Sequence, residues 1–334
     1  MKKIKYIFLS AIICIAAIAL VFQSCNNESG ISSSDSASKI VISSQYDYLD
    51  LPNEYKQVGQ FHNEGMDSVY KAVQTALISS AKAANVKKSS SNKGNSQKVT
   101  NTCDLKSVIN DATLKYCRSK NLINKNCATS SMSRVKTSAD IDSLSPIQKE
   151  YLNKISEIVK SEYKNKDLAE MKEKLNKLNC DAKKNLEVGD AANIYIASTV
   201  AYASMQYWKK NIEKWYLLLK ADEIEAKYGN TLSKANRFKL KAYELPEVVV
   251  TADAPWWMSL QSWWNTNGET VVKADLIGAA YEGLKGGLTA AGNGLMFGPE
   301  GAVLAAGGGA LTGAVKGAIE GSAAGVVGTM FNLW

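Results

Sequence analysis

The stretch GDAANIYIASTVAYASMQYWKKNIEKWYLLLKADEIEAKY, residues 189–228, decides the fold of this chain. Its apolar side chains recur at helical spacing and place Ile194, Met205, Trp208 and Trp215 along one broad stripe. Such a stripe is typical of a core helix in a bundle, and nothing in it supports a ligand role for the aromatic residues. The pattern predicts one long helix from about 189 to 228.

Shorter amphipathic helices are predicted before this stretch. The first begins near Asn63, a candidate N-cap, and carries Met66 and Val69 on its inner face. Ser145 and Pro146 open another helical region, because proline is tolerated in the first turn of a helix. The remaining helices are expected over 104–118, 146–163 and 166–185. We therefore predict a mainly α fold, a helical bundle.

The first 25 residues have the pattern of an export signal. Three lysines within the first five residues precede an uncharged apolar run over 6–22, and Ser24 stands immediately before Cys25. This order resembles a lipoprotein signal, which implies cleavage after residue 24 and lipidation of Cys25, with acyl chains as the anchor. The alternatives are an uncleaved membrane anchor and a signal cut ahead of an ordinary cysteine. We expect an exported outer-membrane lipoprotein, either displayed on the surface or released from the cell.

Changes in composition along the chain predict six segments. They are a signal peptide over 1–24, a flexible tether over 25–45, an N-terminal Cys-containing helical region over 46–134, a helical bundle with the long helix over 135–244, a linker over 245–255, and a Trp-rich, glycine-zipper hairpin over 256–334.

The formal net charge is +8, and loss of the three lysines in the signal leaves +5. This mild excess of positive charge favours anionic surfaces such as lipopolysaccharide or phospholipid headgroups. Nucleic acid is a poor partner, because export separates the chain from it and no recognised binding motif occurs.

Four cysteines remain when Cys14 in the signal and the lipidation candidate Cys25 are set aside. An even number in an exported chain predicts two disulfides with three possible connectivities, and hence a disulfide-stapled bundle. The alternative is four buried thiols. The four residues are Cys103, Cys117, Cys127 and Cys180.

Four tryptophans lie close together after the linker. Tryptophan favours the membrane interface, because its ring is apolar and its N–H group seeks water. A packed aromatic patch that covers a core is the alternative. The four residues are Trp256, Trp257, Trp263 and Trp264.

Small residues recur every four positions in the final segment and predict a helical hairpin with a close-packed face. One stripe consists of Gly309, Gly313, Gly317, Gly321 and Gly325, and the other of Ala279, Gly283, Gly287 and Ala291. A turn is expected over 298–301. Each glycine costs a helix in water about 1 kcal/mol relative to alanine, whereas small residues favour helix pairing in a bilayer. The pattern therefore favours a membrane-competent hairpin over a flexible tail or a collapsed soluble hairpin.

The glycine spacing resembles that of glycine-zipper bacteriocins, whose paired helices permeabilise a target membrane. The stretches GQFHNEGMD over 59–67 and LPEVVVTA over 245–252 are similar to segments of exported Bacteroidota proteins. With its lipoprotein signal, the chain resembles the protease-activated antibacterial toxins of gut Bacteroidales. The resemblance implies action on the membrane of competing bacteria, with lipopolysaccharide as a candidate receptor and self-association of the hairpin. It also implies activation by an Arg-specific, clostripain-like protease.

Arg134 is the expected cleavage site, because the chain has three arginines and Arg134 stands in the most loop-like surroundings. The alternative is an ordinary surface arginine. Among the four cysteines, only Cys180 follows Arg134. In any complete pairing, the two fragments would therefore remain covalently linked after the cut.

The residues that most enzymes need are scarce in this chain. His62 is the only histidine, which excludes a multi-histidine metal site, and neither a phosphate-binding loop nor a dinucleotide fingerprint occurs. A glycosidase-like carboxylate pair stays open, because it leaves no local spacing signal. We expect no enzyme, no cofactor and no metal. The competing hypothesis is a non-toxic envelope lipoprotein with a membrane-anchoring or oligomerising zipper.

Overall fold

The computed structural model describes residues 46–90, 104–123, 145–165, 167–228, 256–294 and 298–331. These residues form eight α-helices and no strand, which confirms the mainly α fold. The helices are α1 (Asn53–Ser90), α2 (Leu105–Ser119), α3 (Pro146–Glu162), α4 (Ala169–Asn185), α5 (Val188–Leu219), α6 (Ala221–Tyr228), α7 (Trp256–Gly294) and α8 (Gly298–Phe331).

Helix α5 is the centre of the bundle and packs against α1, α3, α4, α6, α7 and α8. Its stripe residues Ile194, Met205, Trp208 and Trp215 are all fully buried, as a core helix requires. The prediction of a single helix to 228 was wrong at Lys220, where the backbone leaves helical geometry and α6 begins as a separate helix.

Helix α1 begins ten residues earlier than predicted, at Asn53, so Asn63 is not an N-cap. The carbonyl oxygen of Pro52 accepts hydrogen bonds from the amides of Tyr55 and Lys56 and so starts the first turn. The predicted inner face is correct, since Met66 is fully buried. The start was placed too late because the polar residues around His62 suggested a helix end, whereas the groups that contact His62 come from distant helices.

Capping explains where α2 and α3 begin. The side chain of Asp104 accepts a hydrogen bond from the Ser107 amide at 3.2 Å. Ser145 and Gln148 form a reciprocal capping box at 3.2 and 3.1 Å, with Pro146 in the first turn. Both helices therefore lie close to their predicted bounds.

Helices α7 and α8 run antiparallel and pack along each other. The expected turn over 298–301 is wrong, because these residues form the first turn of α8, a position that suits Pro299. The pair also packs into the bundle: α7 contacts α3 and α5, whereas α8 contacts α1, α2 and α5. Helices from all three predicted helical segments thus contribute to one hydrophobic core. Residues 1–45 and the predicted linker lie outside the described residues.

Within the described ranges, no helix combines the length and the apolar character that crossing a bilayer requires.

No disulfide forms between the two cysteines that the structure describes. Cys117 is a fully buried free thiol on α2, and Cys180 is an exposed free thiol on α4. Cys25, Cys103 and Cys127 lie outside the described residues.

Candidate functional site

The helices of the C-terminal hairpin meet along a seam of small residues, which we call the glycine seam. It consists of Ala274 and Gly278 on α7 and of Gly317, Gly321 and Gly325 on α8. A Cβ atom at Gly278 would overlap the carbonyl oxygen of Gly317, and one at Gly321 would stand 2.5 Å from the carbonyl oxygen of Ala274. The two backbones are therefore in direct contact, and only glycine leaves room for the approach.

The structure places part of the predicted stripes in this seam. Gly317, Gly321 and Gly325 belong to it, and Gly313 is half-buried one turn earlier on α8. On α7 the facing residues are Ala274 and Gly278, one residue out of register with the predicted stripe. The surroundings of its members Ala279, Gly283 and Gly287, and of Gly309 on α8, lie outside the described residues. Ala274 and Gly278 share the four-residue spacing, but the sequence alone does not show which face of α7 meets α8.

A group of buried polar side chains joins this hairpin to the bundle, and we call it the interface cluster. All of its side chains are fully buried, and no local sequence pattern marks them as a group. The cluster consists of His62 on α1, Ser204 and Trp208 on α5, Asp275 on α7 and Ser322 on α8.

Asp275 is the centre of the interface cluster. Its Oδ2 atom accepts hydrogen bonds from Ser204 Oγ and, at 3.3 Å, from Trp208 Nε1. The same oxygen lies 3.7 Å from His62 Nε2. The other oxygen, Oδ1, is buried without a hydrogen-bond partner. One carboxyl group of the hairpin is therefore held by two helices of the bundle.

The imidazole of His62 is held from both sides. Its Nδ1 atom lies 2.9 Å from Asn63 Oδ1, and because an amide oxygen only accepts, Nδ1 must donate. In the neutral ring Nε2 is then the acceptor, and it lies 3.3 Å from Ser322 Oγ on α8. His62 thus connects α1 to both helices of the hairpin.

Burial disfavours the charged form of both titratable groups and shifts their pKa values accordingly. It raises the pKa of Asp275 to about 7, partly offset by the hydrogen bonds from Ser204 and Trp208. It lowers the pKa of His62 to about 4, partly offset by the hydrogen bond to Asn63. Burial thus disfavours an unpaired charge on either group.

Ser322, His62 and Asn63 have the order of a nucleophile, a base and an orienting group. All three side chains are buried, so no substrate reaches the Ser322 hydroxyl in this packed state. The arrangement therefore favours a structural role for His62. Among the described residues, no group of His, Cys, Asp and Glu side chains is arranged to hold a metal ion.

The remaining described charges of the hairpin are paired within their own helices. Lys316 and Glu320 form an ion pair at 3.0 Å, and Lys273 and Glu269 form another at 2.7 Å. These pairs lower the cost of placing charged side chains against the bundle.

Two of the four clustered tryptophans pack against the bundle. The Trp264 indole N–H donates to the carbonyl oxygen of Tyr163 at 3.4 Å, and the Trp263 ring lies 6.2 Å from the ring of Tyr216. In this state the two side chains form an aromatic patch on the core. The side-chain surroundings of Trp256 and Trp257 lie outside the described residues.

The predicted cleavage site Arg134 and the lipidation candidate Cys25 both lie outside the described residues. Of the other two arginines in the sequence, Arg118 lies within α2, and Arg237 lies outside the described residues.

Comparison of the chain with protein-family models, with characterised proteins and with solved structures finds no match.

Proposed function

We propose that this chain is an exported antibacterial toxin that stores a membrane-active hairpin inside a helical bundle. After proteolysis, the hairpin leaves the bundle and inserts into the envelope membrane of competing bacteria. The observation that carries the proposal is the packing of the hairpin: a backbone-to-backbone seam on one side, and a wholly buried polar cluster against the bundle on the other.

The hairpin depends on the bundle as long as it is in water. Its residues Val315, Ile319 and Val326 are fully buried in the shared core, and Ile319 reaches Gly65 of α1, so leaving the bundle would expose apolar surface. A bilayer removes that cost and also favours the seam, because small residues let two helices approach closely in lipid. Release from the bundle would therefore direct the hairpin toward a membrane.

The competing hypothesis is an envelope lipoprotein whose zipper anchors or oligomerises it. The seam disfavours this hypothesis in the packed state, because Gly278 and Gly321 are already in contact with the opposite helix of the same chain. Oligomerisation through these glycines would first require the hairpin to open. In the assay below, a scaffold would kill no cells.

Arg134 remains the proposed activation site. Cleavage at Arg118 would require α2 to unfold, since proteases prefer exposed, non-helical backbone. We further propose a disulfide staple through Cys180, because its thiol is exposed whereas that of Cys117 is enclosed in the core. The proposed partner is Cys103 or Cys127. Lipid on Cys25 would anchor the chain in its producer, and lipopolysaccharide is the proposed receptor on the target cell.

The test is a killing assay on sensitive bacteria with the intact protein, the protein treated with an Arg-specific protease, and Arg134→Ala. We expect killing only after cleavage, none by treated Arg134→Ala, and normal activation of the matched control Arg237→Ala. Killing by all forms would contradict activation by cleavage at Arg134. Killing by none of them would contradict the proposed toxin activity. On a gel, the cleaved protein should give one band without reductant and two bands with it, and two bands in both lanes would exclude the staple.

A further inference from the structure

The interface cluster places two titratable groups of opposite type in contact across the surface between the bundle and the hairpin. His62 Nε2 and Asp275 Oδ2 are 3.7 Å apart, within ion-pair distance, and both side chains are 0% exposed. A buried charge without a partner destabilises a fold strongly, so the protonation of these two groups must be coordinated.

We propose that His62 and Asp275 act as one unit that holds a single proton, and that this unit keeps the hairpin packed over a wide range of acidic pH. The inference rests on the proposed function, because it concerns how the stored hairpin is retained before cleavage. It implies that acidification alone does not release the hairpin and that a cut in the chain is needed.

One proton is the number that leaves the pair without net charge. With the proton on Asp275, both groups are neutral, and with the proton on His62, the pair is a carboxylate beside an imidazolium. A second proton would leave a lone imidazolium in a dry interface, and removal of the first would leave a lone carboxylate. The hydroxyls of Ser204 and Ser322 and the indole of Trp208 provide hydrogen bonds to the pair but no charge.

The pKa shifts give the expected pH range. The pKa of Asp275 rises from 3.8 in the unfolded chain to about 7 in the folded chain. This group alone would therefore make the fold less stable as the pH rises across that range. The pKa of His62 falls from 6.5 in the unfolded chain to about 4 in the folded chain. This group alone would therefore make the fold less stable as the pH falls across that range. Between about pH 4 and 6.5 the pair binds one proton in both the folded and the unfolded chain. The two effects therefore cancel.

The other titratable groups on the helices around the pair do not disturb this balance. Burial raises the pKa of Cys117 to about 12 and that of Tyr207, whose ring lies 6.3 Å from the His62 ring, well above its usual range. Both therefore stay neutral at acidic pH. The charged groups near the pair on α1, α7 and α8 are in ion pairs: Glu64 with Lys120, Asp67 with Lys214, Lys273 with Glu269, and Lys316 with Glu320. Burial raises the pKa of Glu213 on α5, but every protein in the test below retains this group, so its titration cancels.

The test is urea unfolding of the full chain at several pH values between 4.5 and 6.5, for wild type, His62→Gln, Asp275→Asn and the double variant. Each protein is compared with the double variant, so that the titration of all other groups cancels. We expect the ratio of the wild-type unfolding constant to that of the double variant to change by less than about twofold over this pH range. Relative to the same reference, Asp275→Asn should become about tenfold easier to unfold per unit of falling pH, and His62→Gln about tenfold easier per unit of rising pH.

Parallel pH dependence of all four proteins would overturn the proposal, as would a wild-type chain that loses stability on acidification relative to the double variant. Should either single variant fail to fold, the wild type alone suffices, because His62 is the only histidine in the sequence. Its ring resonances in an untagged protein should not titrate between pH 4.5 and 6.5, and a midpoint near 6.5 would refute the shared proton. None of these measurements depends on killing, so the proposed toxin activity can fail while this inference holds, and the reverse.

Discussion

Replacing Gly278 by alanine should destabilise the folded chain by roughly 2 kcal/mol, although alanine is the better helix former by about 1 kcal/mol. The new methyl group would overlap the carbonyl oxygen of Gly317, which is backbone and cannot rotate away. The helices of the hairpin must then separate and lose contact along the seam. Urea unfolding followed by circular dichroism measures the change.

Gly189→Ala is the matched control, because it makes the same chemical change in a helix where nothing lies within 4 Å of the new methyl group. Its stability should be unchanged or slightly higher. Equal effects of the two substitutions would mean that the seam is looser than described.

Replacing Ile319 by alanine should cost about 2–4 kcal/mol and weaken the docking of the hairpin without adding charge to it. Ile319 is fully buried on α8, and its side chain fills the space that a Cβ atom at Gly65 of α1 would occupy. A hairpin that docks less tightly should leave the bundle more often. We therefore expect uncleaved Ile319→Ala to release dye from vesicles of phosphatidylethanolamine and phosphatidylglycerol at least several-fold faster than wild type.

The control is Ile277→Ala on α7, where the original side chain is 42% exposed. It removes the same number of carbon atoms from the hairpin but should alter stability and dye release little. If Ile319→Ala is less stable than wild type but releases no dye, a loosened hairpin does not act on membranes. That result would count against the proposed function.

The helices of the bundle were largely predictable, because their signals are local. The stripe through Trp208 and Trp215 and the capping box at Ser145 each depend on residues within a few turns of one another. The break at Lys220 was missed, since the apolar pattern continues across it.

The interface cluster could not be predicted in the same way. His62 and Ser322 are 260 positions apart, and no spacing rule links them. One signal was present: Asp275 is an acid within a mostly apolar segment, and such a residue must find a buried partner or stay at the surface. The sequence does not show which partner that is, because His62, Ser204 and Trp208 all lie more than 60 positions away.

The most direct test of the stored hairpin is hydrogen exchange of the full chain, measured before and after Arg-specific cleavage, with and without the same vesicles. Cleavage in the presence of vesicles should expose the amides of α1 around His62 and of α5 around Ser204, while the seam around Gly278 and Gly321 stays protected in the bilayer. Dye release with unchanged protection of α5 would show that the hairpin never leaves the bundle, and that result would contradict the account.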